Sequence, residues 1–189
     1  MDGKETLRQW VENSRNVVFF GGAGVSTESG IPDFRSTDGL YNQEYSYPPE
    51  QILSHSFFVR NTEEFYRFYR NKMVYPKAGP NQAHRALAAL EKRGILKAVI
   101  TQNIDGLHQM AGSRKELHGS IYRNHCLGCG KYYDLDWVMK QQGIPRCSCG
   151  GIVKPDVVLY EEGLDSQVLG NAIRYIEEAE VLIIGGTSL

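Results

Sequence analysis

The chain has 189 residues, of which 41% are apolar and 23% charged, with a formal net charge of −1. That length accommodates one moderate domain plus a small insertion, and so small a net charge carries no electrostatic footprint for nucleic acid or an anionic membrane. No apolar run approaches the ~20 residues of a membrane-spanning helix, and the polar opening MDGKETLRQW lacks the apolar centre of a secretory signal, so a cytoplasmic protein is expected.

In chain order, LRQWVENS has helical spacing with Leu7, Trp10 and Val11 on one side. NVVFF (Asn16 to Phe20) is a buried-strand run ending in glycine. Phe57 to Met73 is aromatic-rich and helical in period. PNQAHRALAALEKRG pairs an early-helix Pro80 with Gly94 as a C-cap. LKAVITQN is the next strand and turns polar at Thr101. Residues 120–153 change character to cysteines, glycines and short polar turns. KPDVVLY (Lys154 to Tyr160) is strand-like again, SQVLGNAIRYIEEAE is an amphipathic helix, and VLIIGG (Val181 to Gly186) is a further buried strand. The alternation points to an α/β fold with a parallel sheet that includes Lys154 to Tyr160. The chain stops at GGTSL, directly after a strand, where a doubly wound sheet would begin another loop and helix; a further C-terminal portion is therefore expected.

Three short stretches carry chemistry. GGAGVSTESGIPDFRS (Gly21 to Ser36) follows a strand, the setting in which glycines let backbone N–H groups approach a pyrophosphate. It lacks the third glycine of the dinucleotide fingerprint, and a tight turn without a ligand is the competing reading. The Gly-Ile-Pro turn then presents Asp33, Phe34 and Arg35, which can respectively accept from hydroxyls, cover a flat ring and pair with phosphate. TQNIDGLH (Thr101 to His108) begins at the carboxyl end of a strand, where open α/β sheets bind ligands, and an Asx-rich turn capping a helix is its plain alternative. His118, in ELHGS, is a candidate base that a structural histidine would equally explain; His55, His84, His108 and His125 are weaker candidates, with His84 expected to serve packing or a local hydrogen bond.

Cys126-x-x-Cys129 and Cys147-x-Cys149, with 17 residues between the pairs, contain all four cysteines. Two close thiol pairs on glycine turns make a tetrahedral zinc site, and four protein ligands leave no open position, so the metal should be structural. A dithiol redox pair is the alternative.

Together GAGVSTESGIPDFR, TQNIDGLH, HGS, the two cysteine pairs, KPDVVLYEE and GGTSL, in this order, resemble the sirtuins, NAD-dependent protein deacylases of the Sir2 family. The resemblance implies a Rossmann-type doubly wound parallel sheet with a small inserted zinc-ribbon and helical domain. Residues 1–36, 77–120 and 154–189 would form the NAD-binding domain, 37–76 the helical part of the small domain and 121–153 its zinc ribbon. NAD and an acetylated lysine would lie in the cleft between them. By position, Gly22, Ala23, Gly24 and Thr27 would line the phosphates, with Asp33 and Arg35 on the same loop. Phe34, Ile104 and Asp105 would take nicotinamide, Gln102 and Asn103 the neighbouring ribose, and Thr187 and Ser188 the adenosine side. Catalytic roles would fall to Asn103, Asp105 and His118, the last as general base. Val158, Tyr160, Glu161 and Glu162 would meet the substrate peptide by strand addition.

The implied reaction breaks the bond to nicotinamide while the acyl oxygen attacks the ribose carbon, and ends in free lysine and O-acyl-ADP-ribose. Relatives that prefer acidic acyl groups carry Phe-Tyr-x-x-Arg in the helical segment. Here Tyr66 is present, but Tyr69 holds the Arg position and Arg70 lies about 100° further round a helix, which favours neutral acyl groups. Gly21 stands where relatives often carry Thr or Ser, and Tyr160 to Glu162 replace a commoner Phe-Gly-Glu. Mono-ADP-ribosyl transfer and a non-catalytic zinc-containing binding module are the rival readings.

Overall fold

A computed structural model describes residues 2–34, 47–113 and 119–187. Its elements are helix α1 (Gly3–Asn13), strand β1 (Val17–Gly21), a 3-10 segment (Ala23–Ser29), helices α2 (Pro49–Ile52), α3 (His55–Arg60) and α4 (Thr62–Phe68), and a π-helical turn (Tyr69–Met73). There follow α5 (Gln82–Lys92), β2 (Leu96–Thr101), α6 (Leu107–Ala111), β3 (Gly119–Cys126), β4 (Tyr132–Asp134), α7 (Leu135–Lys140), β5 (Val153–Val157), α8 (Ser166–Glu177) and β6 (Val181–Gly185).

The three apolar runs pair as one parallel sheet of order β2-β1-β6. Successive side chains of a strand face opposite ways, yet Val17 and Val18 are both fully buried, because helices cover both faces of the central strand. Val17, Phe19, Leu96 and Val99 pack with Leu87 of α5, and Val18, Ala98 and Ile100 pack with Ala172 of α8. Each of the larger side chains among them contributes roughly 1.5–3 kcal/mol. Helix α5 starts with a capping box: the Asn81 side chain accepts from the backbone of Ala83 and His84, and the His84 ring accepts from the Asn81 N–H. His84 is thus a local structural residue, as its helical position suggested. Pro80 lies just before the cap, and Gly94 closes the helix at φ 74°.

The second sheet is antiparallel, of order β4-β3-β5. This corrects one expectation. The strand anticipated at Lys154 to Tyr160 does not join the parallel sheet; it runs only from Val153 to Val157 and pairs antiparallel with β3. Its burial alternates strictly, the pattern of a strand with one dry face, and Pro155 is tolerated because β5 is an edge strand. Gly119 makes this pairing possible: at φ 84°, a Cβ there would lie 1.9 Å from the Asp156 carbonyl oxygen.

Two helical expectations also change. The segment Phe57 to Met73 is not one helix, because Asn61 leaves helical geometry (φ −132°, ψ 49°) between α3 and α4. The apolar face expected on α1 is not buried: Leu7 and Trp10 are 43% and 59% exposed. The second sheet packs instead on the aromatic helices, where Phe58, Phe65, Tyr66 and Tyr69 form edge-on and stacked pairs against Ile121, Val138 and Val153. Among the described residues no helix is long and apolar enough to cross a membrane.

Candidate active site

Because β1, β2 and β6 are parallel and in register, their carboxyl ends Gly21, Thr101 and Gly185 sit side by side, and the loops that follow must meet. Backbone hydrogen bonds join them: Gln102 N–H to Gly21 O (2.9 Å), Gly22 N–H to Gly185 O (3.2 Å) and Gly24 N–H to Gly186 O (2.8 Å). Thr187 Oγ1 donates to Gln102 Oε1 at 3.1 Å. A Cβ on Gly22 would lie 2.8 Å from Thr187 Cβ, and one on Gly24 2.9 Å from Gly186 Cα. These two glycines are therefore required by the neighbouring loop, before any ligand is considered.

A polar triad sits at the base of these loops. Buried Ser26 donates to Asp105 Oδ2 at 2.6 Å and accepts from Asn103 Nδ2 at 3.1 Å. Asp105 Oδ1 accepts from the Leu107 N–H at 2.9 Å, and the Asn103 N–H donates to Thr101 Oγ1 at 3.0 Å. Each carboxylate oxygen of Asp105 thus has a donor, which holds the side chain toward the loops. Ser26 escaped the sequence reading although it lies inside the glycine-rich stretch; a small hydroxyl among small residues gave no signal apart from its partner 79 positions away.

The loops wall a cleft of about 900 Å³ between the two sheets. Ala23, Gly24, Asp33, Phe34, Gln102, Asn103, Ile104, Asp105 and Thr187 line one part of it, and Val158, Tyr160, Glu161 and Glu162 another. Phe34 and Asp105, 71 residues apart in sequence, are thus brought to one cavity. Gly22 and Thr27 are not among its lining residues; Thr27 instead donates to Gly24 O. Arg35, His118 and Ser188 lie outside the described residues, while Gly119, next after His118, pairs with Val157 of the cleft wall. Leu53, Lys72, Met73 and Tyr75 also line the cleft and carried no recognisable pattern in the sequence.

The wall at 157–162 is tied down from behind. The Tyr160 N–H donates to Leu53 O and its carbonyl accepts from the His55 N–H, both at 2.9 Å, so the backbone of Tyr160 is already paired. Glu162 accepts from His55 Nδ1 (2.9 Å), Lys154 Nζ (3.1 Å) and the Leu159 N–H (2.9 Å). Burial raises its carboxyl, but those three donors outweigh burial and hold it below the usual carboxylate range. Beneath Asp105, the rings of His84 and His108 lie 4.5 Å apart, both buried. Burial, and then the neighbouring His84, press His108 down to about 4, and burial lowers His84 against the opposing charge of Asp105.

At the far end of the second sheet the sulfur atoms of Cys126, Cys129, Cys147 and Cys149 all lie within 4.8 Å of one another, with Cys126 to Cys149 at 3.4 Å and Cys129 to Cys147 at 3.6 Å. Zinc–sulfur bonds of about 2.3 Å in a tetrahedron place sulfurs roughly 3.8 Å apart, so the four cysteines are positioned to hold a zinc ion. The backbone amide of Cys149 and then the Tyr133 hydroxyl, 3.1 Å away, lower the Cys147 thiol to about 5, favouring the thiolate that a metal requires. The single residue between Cys147 and Cys149 is no obstacle to this geometry.

Comparison with known proteins agrees with this arrangement. A family model described as the Sir2 family matches residues 22–189. The chain is 59% identical to an "NAD-dependent protein deacetylase" of Clostridium perfringens and 58% identical to one of Clostridium acetobutylicum, covering all of this chain and 80% of each of those proteins. Among solved structures, it superposes on a Sir2 homologue in complex with ADP-ribose (40% identity, TM-score 0.87, 100% of this chain and 75% of that one). It also superposes on Sir2 with a deacetylated p53 peptide and 3'-O-acetyl ADP-ribose (39% identity, TM-score 0.88, 99% and 77%). With strand tips, cleft and cysteine cluster in that same framework, the chain belongs to the Sir2 family.

Proposed function

We propose that this protein is an NAD-dependent protein-lysine deacetylase, which cleaves NAD to nicotinamide and passes the acetyl group of a modified lysine to ADP-ribose. The observation that carries this reading is the convergence of three separate stretches, 22–34, 102–105 and 157–162, on one cleft at the carboxyl ends of the parallel strands. NAD, as co-substrate, supplies a glycosidic bond whose cleavage activates the ribose carbon toward the acyl oxygen.

The chain's own residues would divide the work by position. Ala23 and Gly24 would border the phosphates, with Gly22 and Thr27 supporting that turn and Arg35 reaching the same charge. Phe34 and Ile104 would enclose the nicotinamide, with Asp33 nearby, and Asp105, held by Ser26, would face its carboxamide. Gln102 and Asn103 would hold the ribose, and Thr187 and Ser188 the adenosine side. His118 would accept a proton from a ribose hydroxyl, a task suited to a group whose ordinary pKa is near 6.5. Val158 would offer its backbone to an extended peptide.

Neutral acyl groups fit best. Tyr66 donates its hydroxyl to Val153 O, and Arg70 donates to Gly143 O while lying 5.3 Å from the centre of the Tyr66 ring, so both side chains are engaged away from the cleft. The reading includes an NAD-binding unit (1–36, 77–120 and 154–189), a small unit of helical (37–76) and zinc-ribbon (121–153) parts with β3 and β5 running across its borders, and a cytoplasmic location. Its partners are acetylated proteins, with neither nucleic acid nor membrane involved.

Incubation with NAD and an acetyl-lysine peptide, followed by mass spectrometry, tests the function. Nicotinamide released in step with free lysine supports it. ADP-ribose attached to protein would establish the transferase reading instead, and an unchanged peptide with unchanged NAD would leave only a binding module.

A further inference from the structure

We propose that Glu161 is a positioning residue that clasps the peptide-facing wall of the cleft to helix α3, and that its carboxylate is spent on this clasp and does not read charge on the substrate. The inference rests on the reading of 157–162 as the peptide wall. Glu161 is the only non-glycine residue with positive φ among the described residues, at 75°. An L residue with a long side chain enters that region only against steric resistance, so something must hold it there.

What holds it is visible. Glu161 Oε2 accepts from the Ser56 N–H at 2.8 Å and Oε1 from the Ser56 hydroxyl at 3.1 Å. Ser56 is the second residue of α3, where backbone N–H groups have no partner within the helix, and the carboxylate supplies one. On either side the chain is fastened to the same place: Tyr160 pairs with Leu53 and His55, and Glu162 bonds the His55 ring. Residues 160–162 are thereby zipped onto 53–56, and the left-handed turn at Glu161 lets consecutive residues reach α3. Two adjacent carboxylates at a cleft rim suggest a surface for basic peptides, but here each already has its donors. A wall fixed before the peptide arrives spares the complex the cost of ordering it, so its loosening should appear in peptide binding and not in the chemical step.

The test compares E161A, E161Q and E161G with the wild-type protein, using an acetyl-lysine peptide, NAD and backbone hydrogen exchange. E161A should raise the peptide KM roughly fivefold, the effect of losing one charged helix cap, with kcat and the KM for NAD unchanged. E161Q, which keeps one acceptor, should recover part of that loss. E161G removes the left-handed strain together with the clasp and should still show the raised peptide KM. Exchange at Ser56 and at 158–162 should quicken in E161A. A wild-type peptide KM in E161G would mean that only the backbone shape matters, and an unchanged KM in E161A, or a fall in kcat alone, would overturn the proposal outright. Should the wild-type protein not turn over the peptide, the deacetylase reading fails. Exchange then decides the clasp by itself, quickening in E161A supporting it and unchanged exchange refuting it.

Discussion

The two sheets reach stability by different routes. The parallel sheet is a sandwich of mostly aliphatic side chains: β1 is buried from both faces, and its neighbours are the runs Leu96–Thr101 and Val181–Gly185. The antiparallel sheet has one dry face against aromatic helices, while its far end is gathered by four thiols. One half is therefore governed by apolar burial, and the other also by thiols positioned to hold a zinc ion. A site between them depends on both, since 102–105 and 157–162 hang from different sheets.

Metal removal should separate the halves most sharply. Cys126→Ser, or exhaustive chelation, should release zinc and open β3, β4 and β5 to hydrogen exchange while β1 and β2 stay protected, because no strand of the parallel sheet touches the cysteines. A zinc-free protein with an intact second sheet would refute the dependence.

Acid should act on the other half. His108 lies 6.2 Å from the ring of Phe19 in β1, and its pKa falls from 6.5 to about 4 on folding. Between these values the unfolded chain binds more protons than the folded one, so this contribution is complete above pH 6.5 and is lost as the pH falls toward 4. A drop of about 3 kcal/mol is expected over that window. Thermal melting of the wild-type protein and of His108→Leu checks it: the variant should melt with a shallower dependence on pH, and identical slopes would remove His108 from the account.

The smallest effect is expected beside the metal. Tyr133→Phe deletes the hydroxyl that donates to Cys147 and should weaken zinc retention roughly tenfold in a chelator competition, leaving the fold in place. Unchanged retention would make that contact incidental.

The same contrast explains what could be read from the sequence. The parallel strands were legible because each is a contiguous apolar run, and the zinc site because thiol spacing is itself geometry. The helix break at Asn61 and the true sheet of β5 were not: Asn61 stands in an otherwise continuous helical period, and Lys154 to Tyr160 reads as a strand whichever sheet accepts it. Gly22 and Gly24 were assigned to a ligand, but their nearest neighbours in space are Thr187 and Gly186, 165 and 162 positions away. Ser26 was silent for a like reason, its meaning residing in Asp105. Glu161 could be seen only as a departure from a commoner glycine; its left-handed backbone shows why glycine suits that position, and Ser56 shows what replaces it.

The central claim is that one cleft joins the acyl group to the ribose of NAD. Labelling the acetyl carbonyl of the peptide with heavy oxygen tests it most directly. The label should leave with the ADP-ribose product, bonded to the ribose carbon that carried nicotinamide, with one nicotinamide formed per lysine freed. Recovery of the label in free acetate, with NAD intact, would contradict the account.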